Sequence, residues 1–181
     1  MGVDANETLP LRQVERRIEA SGIPHTILRP NWYMQNLLGF LAASIKQQGA
    51  IYLPAGDART SFIDTRDVGD VAAVMLSEPG HMGKTYALTG PQSLTYDEVA
   101  AAIAQASGRP VQYVAMPEEA MREALSGQGW PGATIDFMLN MYRPVREGRC
   151  AAVSSAVADI TGRPPIRLEQ FVRENASVWR A

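Results

Sequence analysis

The sequence has one cysteine, two lysines and two histidines in 181 residues, and each scarcity removes a class of chemistry. With Cys150 alone, no intrachain disulfide can form, and metal sites built from paired cysteines are ruled out; this fits a reducing cytoplasm. His25 and His81 are far apart in sequence and show no ligand spacing, so no structural or catalytic metal is expected. Lys46 and Lys84 are the only lysines, the basic residues are mostly arginines spread along the chain, and the net charge is −2. No basic field exists to attract nucleic acid or an anionic membrane. No apolar run approaches membrane-spanning length, and Met1-Gly2-Val3-Asp4-Ala5-Asn6 carries neither the basic nor the apolar region of a signal peptide.

Nucleotide-binding motifs are missing as well. A dinucleotide site needs a glycine-rich turn between a strand and a helix N-terminus, where backbone N–H groups can approach the pyrophosphate. Neither G-x-G-x-x-G nor G-x-x-G-x-x-G follows a predicted strand, and there is no P-loop. The chain also shows no internal repeat, low-complexity tract or linker, so residues 1–181 are read as a single domain.

What is present is alternation of helices and strands followed by a helical tail. The spacing predicts a helix from Pro10 to Ser21 with Leu11, Val14 and Ile18 on one apolar face, Leu11 being expected to pack in the core. A strand His25–Arg29 stopped by Pro30 follows, then a helix from Trp32 to Gln48 burying Met34, Leu37, Leu38, Leu41 and Ile45. Strands are predicted at Ile51–Leu53 and Ser61–Ile63, and a helix after Thr65 carries Val68, Val71, Ala72 and Met75. Thr85–Leu88 reads as a strand. Thr95-Tyr96-Asp97-Glu98 is a capping box, with Leu94 and Val99 as a hydrophobic staple, and opens a helix ending at Gly108. Val111–Ala115 is a further strand. Beyond Pro117 the pattern is helical, with one stripe of Ile135, Met138, Leu139 and Tyr142 and another of Leu168, Phe171, Val172 and Trp179.

Charged residues read mainly as structural. Asp64 and Asp67 flank a helix start and suit capping and the helix dipole. Glu15 with Arg12, and Glu19 with Arg16, are spaced as surface pairs, while Arg29 at a strand end is expected in a salt bridge. Cys150 has no neighbouring base and is expected to be unreactive.

Several stretches, in order, resemble the NmrA-like branch of the atypical short-chain dehydrogenases/reductases. They are Glu15 in the first helix, Ser21-Gly22-Ile23-Pro24-His25-Thr26-Ile27-Leu28-Arg29-Pro30, Asn31-Trp32-Tyr33-Met34-Gln35-Asn36, Ser61-Phe62-Ile63-Asp64 with Asp67-Val68, Tyr86-Ala87-Leu88-Thr89-Gly90-Pro91 with Thr95 and Glu98, and Thr161-Gly162-Arg163-Pro164-Pro165. The resemblance implies an α/β fold: a partial Rossmann-like, NAD(P)-binding fold that lacks its N-terminal nucleotide-binding half and adds a small α-rich substrate subdomain. It implies NADP or NAD as cofactor and a small-molecule substrate. Pro30, Asn31 and Trp32 would lie near the nicotinamide, and Tyr33, Met34 and Asn36 would line the substrate pocket. The Tyr-x-x-x-Lys pair of many reductases in the superfamily falls on Glu7 and Leu11, so no catalytic dyad carries over. Three functions stay open: the substrate-side part of an NAD(P)-dependent oxidoreductase acting on a carbonyl, enone or quinone; a non-enzymatic NAD(P)-sensing or partner-binding regulator; and a degenerate fragment without ligand. An exposed sheet edge is expected to drive self-association or pairing with a partner.

Overall fold

The structure is a computed structural model that describes residues 10–180. Its elements in order are α1 (Pro10–Ala20), β1 (Ile27–Pro30), a 3-10 turn (Met34–Leu37), α2 (Ala42–Gln48), β2 (Ala50–Leu53), α3 (Thr65–Ser77), β3 (Thr85–Leu88), α4 (Tyr96–Ser107), β4 (Gln112–Ala115), α5 (Glu118–Gly127), α6 (Gly132–Arg146), α7 (Ala156–Thr161), α8 (Leu168–Glu174) and a closing 3-10 turn (Ala176–Val178). Glu7 lies outside the described residues.

Two parallel pairs organise the chain. β1 lies beside β3 in the register Ile27↔Thr85 to Pro30↔Leu88. β2 lies beside β4, from Ala50↔Gln112 to Leu53↔Ala115. Parallel neighbours cannot be joined by a hairpin, so helices supply the crossovers and cover the strands. The main core forms around Leu37, Ile51, Ile103, Tyr142, Phe171 and Trp179, and a second cluster of Ile63, Val71, Leu88 and Val157 sits between β3, α3 and α7. Local signals start the helices where expected. The Thr95 hydroxyl accepts from Glu98 N–H while the Glu98 carboxylate accepts from Thr95 N–H, and Asp64 caps α3 by accepting from Arg66 N–H at 2.9 Å.

Four expectations are corrected. The helix predicted from Trp32 to Gln48 is broken into the 3-10 turn and α2. Tyr33 is extended and bridges to Ile63, and Met34 N–H donates to the Ile63 carbonyl at 2.9 Å, so no helix can begin at Trp32. The predicted strand Ser61–Ile63 is reduced to isolated bridges, because its backbone groups go to three different segments: Ser61 N–H to Cys150, Ile63 N–H to Trp32, and the Phe62 carbonyl to Gly90. Asp67 stands in the first turn of α3, as suits the dipole, but its carboxylate makes no cap; it accepts Ile166 N–H at 2.9 Å and ties the turn after α7 to α3, and its burial holds its carboxyl above the ordinary range.

The fourth correction concerns α1. Leu11, placed in the core by periodicity, is exposed, and so are Val14 and Ile18. The charged side turns inward instead. Arg29 donates from Nε and Nη2 to the two oxygens of Glu15 at 2.9 and 2.6 Å, and Arg12 bridges Glu15 and Glu19 at 2.8 and 2.7 Å. The bond from Arg29, joined by those from Arg12, keeps the Glu15 carboxyl below its ordinary range against the opposing effect of burial. A depressed carboxyl contributes stability that is complete above its unfolded pKa and is lost as pH falls through the folded value. Lowering the pH below the usual glutamate range is therefore expected to release α1 ahead of the core. Amide exchange over residues 12–20 at pH 3 against pH 6 would reveal it, and equal protection at both would refute it.

Candidate functional site

Because β1 and β3 are parallel, the segments leaving their carboxyl ends emerge side by side. In α/β sheets that is where ligands bind. Residues 31–36 leave β1 and residues 89–91 leave β3. The Asn31 N–H donates to the Leu88 carbonyl at 2.9 Å, so pairing runs one residue past the strand.

Asn31 is buried and works as a junction. Its amide nitrogen donates to Ser61 Oγ at 2.7 Å and to the Cys150 carbonyl at 2.8 Å. Ser61 in turn donates from its hydroxyl to the Ala152 carbonyl at 2.7 Å and from its N–H to the Cys150 carbonyl at 2.9 Å. A carbonyl can only accept, so the orientation of the amide is fixed. Its oxygen has no partner among the described residues. Three segments distant in sequence are thereby locked behind the turn.

Trp32 is half-buried, with its ring 4.8 Å from that of Tyr142 on α6 at 31°. Tyr33 is half-buried against the second cluster, and burial raises its phenol pKa. Met34 is buried in the main core. Asn36 is half-buried and its amide has no hydrogen bond among the described residues, whereas Pro30 is half-buried at the strand end. Between them, Gln35 clamps the turn to α3 by donating to Asp64 Oδ1 at 2.9 Å and accepting Thr65 N–H at 3.1 Å. Burial alone would raise the Asp64 carboxyl, but the bonds from Arg66 and Gln35 outweigh it and hold it low.

Close approach also dictates Gly90. A Cβ there would lie 2.1 Å from the Phe62 carbonyl oxygen, whose hydrogen bond comes from Gly90 itself at 2.9 Å. Backbone on both sides leaves nothing to yield. Gly90→Ala is expected to destabilise the chain by about 3 kcal/mol, the upper end for overpacking, and a chemical denaturation midpoint equal to wild type would show the segments can part freely.

Burial raises the phenols of Tyr96 and Tyr142 and the thiol of Cys150, so all three stay neutral at physiological pH. No group of three or more metal-ligating side chains occurs among the described residues. The spacing Gly127-Gln128-Gly129-Trp130-Pro131-Gly132 matches the dinucleotide glycine pattern only in letters. It joins α5 to α6, and the Gly129 and Trp130 N–H groups are spent on the Ser126 and Leu125 carbonyls. Among the described residues the candidate site is an aromatic and amide wall, with no titratable pair or glycine-rich phosphate cradle beside it. Ser61, Tyr142, Gln35 and the Cys150 carbonyl complete it, and the sequence marked none of them as part of a site; Ser61 stood in a resembling stretch and Tyr142 in an apolar stripe.

A family model described as the NmrA-like family matches residues 12–158, and the chain belongs to that family. It is 37% identical over 171 residues to an NAD(P)H azoreductase of Xenophilus azovorans, covering 94% of this chain and 59% of the relative. The NADPH-dependent quinone oxidoreductase of Escherichia coli, solved in complex with NADPH, superposes with a TM-score of 0.83 at 29% identity, over 92% of this chain and 60% of that one. The Citrobacter triphenylmethane reductase complexed with NADP(H) shares the fold with a TM-score of 0.78 at 24% identity, over 93% of this chain and 60% of that one. The chain spans less than two thirds of the length of each of these proteins.

Proposed function

We propose that this chain is the substrate-side part of an NAD(P)H-dependent oxidoreductase that reduces a flat, conjugated carbonyl, enone or quinone. The observation that carries the reading is the wall at the carboxyl end of the parallel pair β1–β3. There Trp32 stacks on Tyr142, and Tyr33 and Asn36 stand half-buried on one turn. Aromatic faces suit a planar acceptor and a free amide can orient its oxygen. Pro30 and Trp32 would border the nicotinamide, with Tyr33 and Asn36 toward the substrate. Asn31 and Met34 support the same turn from behind. The cofactor, when bound, supplies the hydride; the described residues fit its nicotinamide end and offer no glycine-rich turn for its pyrophosphate. We read residues 1–181 as one partial Rossmann-like domain whose α5–α6 region is the α-rich substrate side, in a protein of the reducing cytoplasm.

A second reading, a dinucleotide sensor, draws on the neutral buried phenols and on Leu11 standing where related reductases carry lysine. The two separate in a fusion of this chain to the unmatched segment of the Escherichia coli quinone oxidoreductase. Quinone-dependent NADPH oxidation is expected, and Trp32→Ala should raise KM for the quinone about tenfold with little change in melting temperature. NADPH binding without turnover across a quinone panel would select the sensor. A variant that melts early with unchanged KM would place Trp32 in the core alone.

A further inference from the structure

The turn that follows β1 has three sides. A 3-10 turn advances three residues per revolution, so residues three apart fall one above the other. Asn36 N–H donates to the Tyr33 carbonyl at 3.2 Å and Leu38 N–H to the Gln35 carbonyl at 2.9 Å, which is that spacing. Met34 and Leu37 make the inner side and are 2% and 1% exposed. Tyr33 and Asn36 make a second side, and both are half-buried. Gln35 takes the third and reaches α3.

Apolar burial has no direction, so Met34 and Leu37 set how deep the turn sits and leave its rotation open. Hydrogen bonds do have direction. Gln35 makes two with one amide: Nε2 donates to Asp64 Oδ1 at 2.9 Å, and Oε1 accepts Thr65 N–H at 3.1 Å. The far end of that clamp is itself fixed. Asp64 is fully buried, caps α3 and accepts from Arg66 Nη2 at 2.7 Å. The same Nη2 donates to Glu174 Oε2 on α8, also at 2.7 Å. An amide suits position 35 where a carboxylate would not, because one partner accepts and the other donates.

We infer that Gln35 is the positioning residue of this site: its clamp on α3 sets the rotation of the turn and thereby aims Tyr33 and Asn36 at the acceptor. The acceptor rests on the oxidoreductase reading, and the aim rests on the hydrogen bonds. Loss of the clamp should act on acceptor affinity while Trp32 keeps its stack on Tyr142.

Gln35→Glu tests this, because it exchanges one polar group at nearly constant volume. One oxygen can still accept Thr65 N–H, but the other faces Asp64 Oδ1, and two carboxylates so close cannot both ionise without cost. A proton shared between them at lower pH restores the bond. The other charged or titratable groups on this side are Tyr33 on the turn, Arg66, Asp67 and Asp70 of α3, Arg163 beyond α7 and Glu174 of α8. All are common to both proteins, so the ratio of variant to wild type isolates the pair.

The kinetic measurement uses the fusion to the unmatched segment of the Escherichia coli quinone oxidoreductase. In Gln35→Glu, KM for the quinone is expected to rise about tenfold at pH 8 with kcat little changed, and to return toward wild type as the pH is lowered to 5. Gln35→Met, of similar length and without either bond, should raise KM at every pH. KM at the wild-type value in both variants, even with early melting, overturns the inference and leaves Gln35 a structural brace. So does a rise in Gln35→Glu that ignores pH. A fusion inactive with every quinone removes the oxidoreductase reading instead, and the full chain alone then decides the aim. There the Asn36 side-chain amide resonances should move further with pH in Gln35→Glu than in wild type, and equal movement overturns it.

Discussion

Titration of this chain alone with NADH or NADPH is expected to show no micromolar binding. Pyrophosphate binding of the Rossmann type relies on backbone N–H groups at a glycine-rich turn and on the dipole of the helix that follows. In the one stretch of matching spacing, the Gly129 and Trp130 N–H groups already donate to carbonyls of α5. A charge-assisted hydrogen bond contributes about 1.5–3 kcal/mol, so the absence of two or three lowers affinity by several orders of magnitude. In the proposed reading, the contacts left, through Pro30 and Trp32, would reach only the nicotinamide end. Calorimetry with both nucleotides checks this. A micromolar dissociation constant would require a phosphate site that these residues do not form, and would overturn the assignment of this chain to the substrate side.

Trp179→Ala is expected to have the largest effect on stability of any single side-chain truncation, about 3–5 kcal/mol, as for other buried large aromatics. The indole is 1% exposed in the main core, and its Nε1 donates to the Leu37 carbonyl at 3.1 Å. Leu37 closes the 3-10 turn that follows Tyr33, so the C-terminal end of the chain braces the site turn from behind. Arg109 braces the same region by donating to the Trp179 and Lys46 carbonyls, both at 3.0 Å. The measurement is a denaturant midpoint at unchanged slope, with Trp179→Phe as companion. Phenylalanine keeps most of the volume and loses the hydrogen bond, so it should recover most of the stability. If Trp179→Ala unfolds at the wild-type midpoint, the C-terminal turn is not part of the cooperative core.

Much of the framework could be read from local pattern. The box at Thr95 and Glu98, the cap at Asp64, and the strands around Ile27–Pro30 and Thr85–Leu88 all came from neighbours in sequence, which is where propensity and capping act. The stretch Asn31–Asn36 stood out as a candidate site through its resemblance alone. Its scaffolding was not. Asn31 meets Ser61 and Cys150 across 30 and 119 residues, and no periodicity encodes a hydrogen bond to a distant carbonyl. The same limit explains the break before α2, because the extended bridge from Tyr33 to Ile63 overrode a helical apolar repeat. For α1 the pattern gave the right face but the wrong direction. Periodicity says which side chains lie together; the partner, here Arg29, decides which way they point.

The pinning of α1 by Arg29 also bears on how quickly and at what entropic cost anything can settle there. A segment that folds only on contact loses affinity to its own ordering, and its association slows when a rearrangement must come first. The guanidinium–carboxylate bonds at 2.6 and 2.9 Å already hold this helix in register with the strand. The ordering is done beforehand, by charges set behind the apolar stripe. Order at this face is therefore set by the ion pairs themselves.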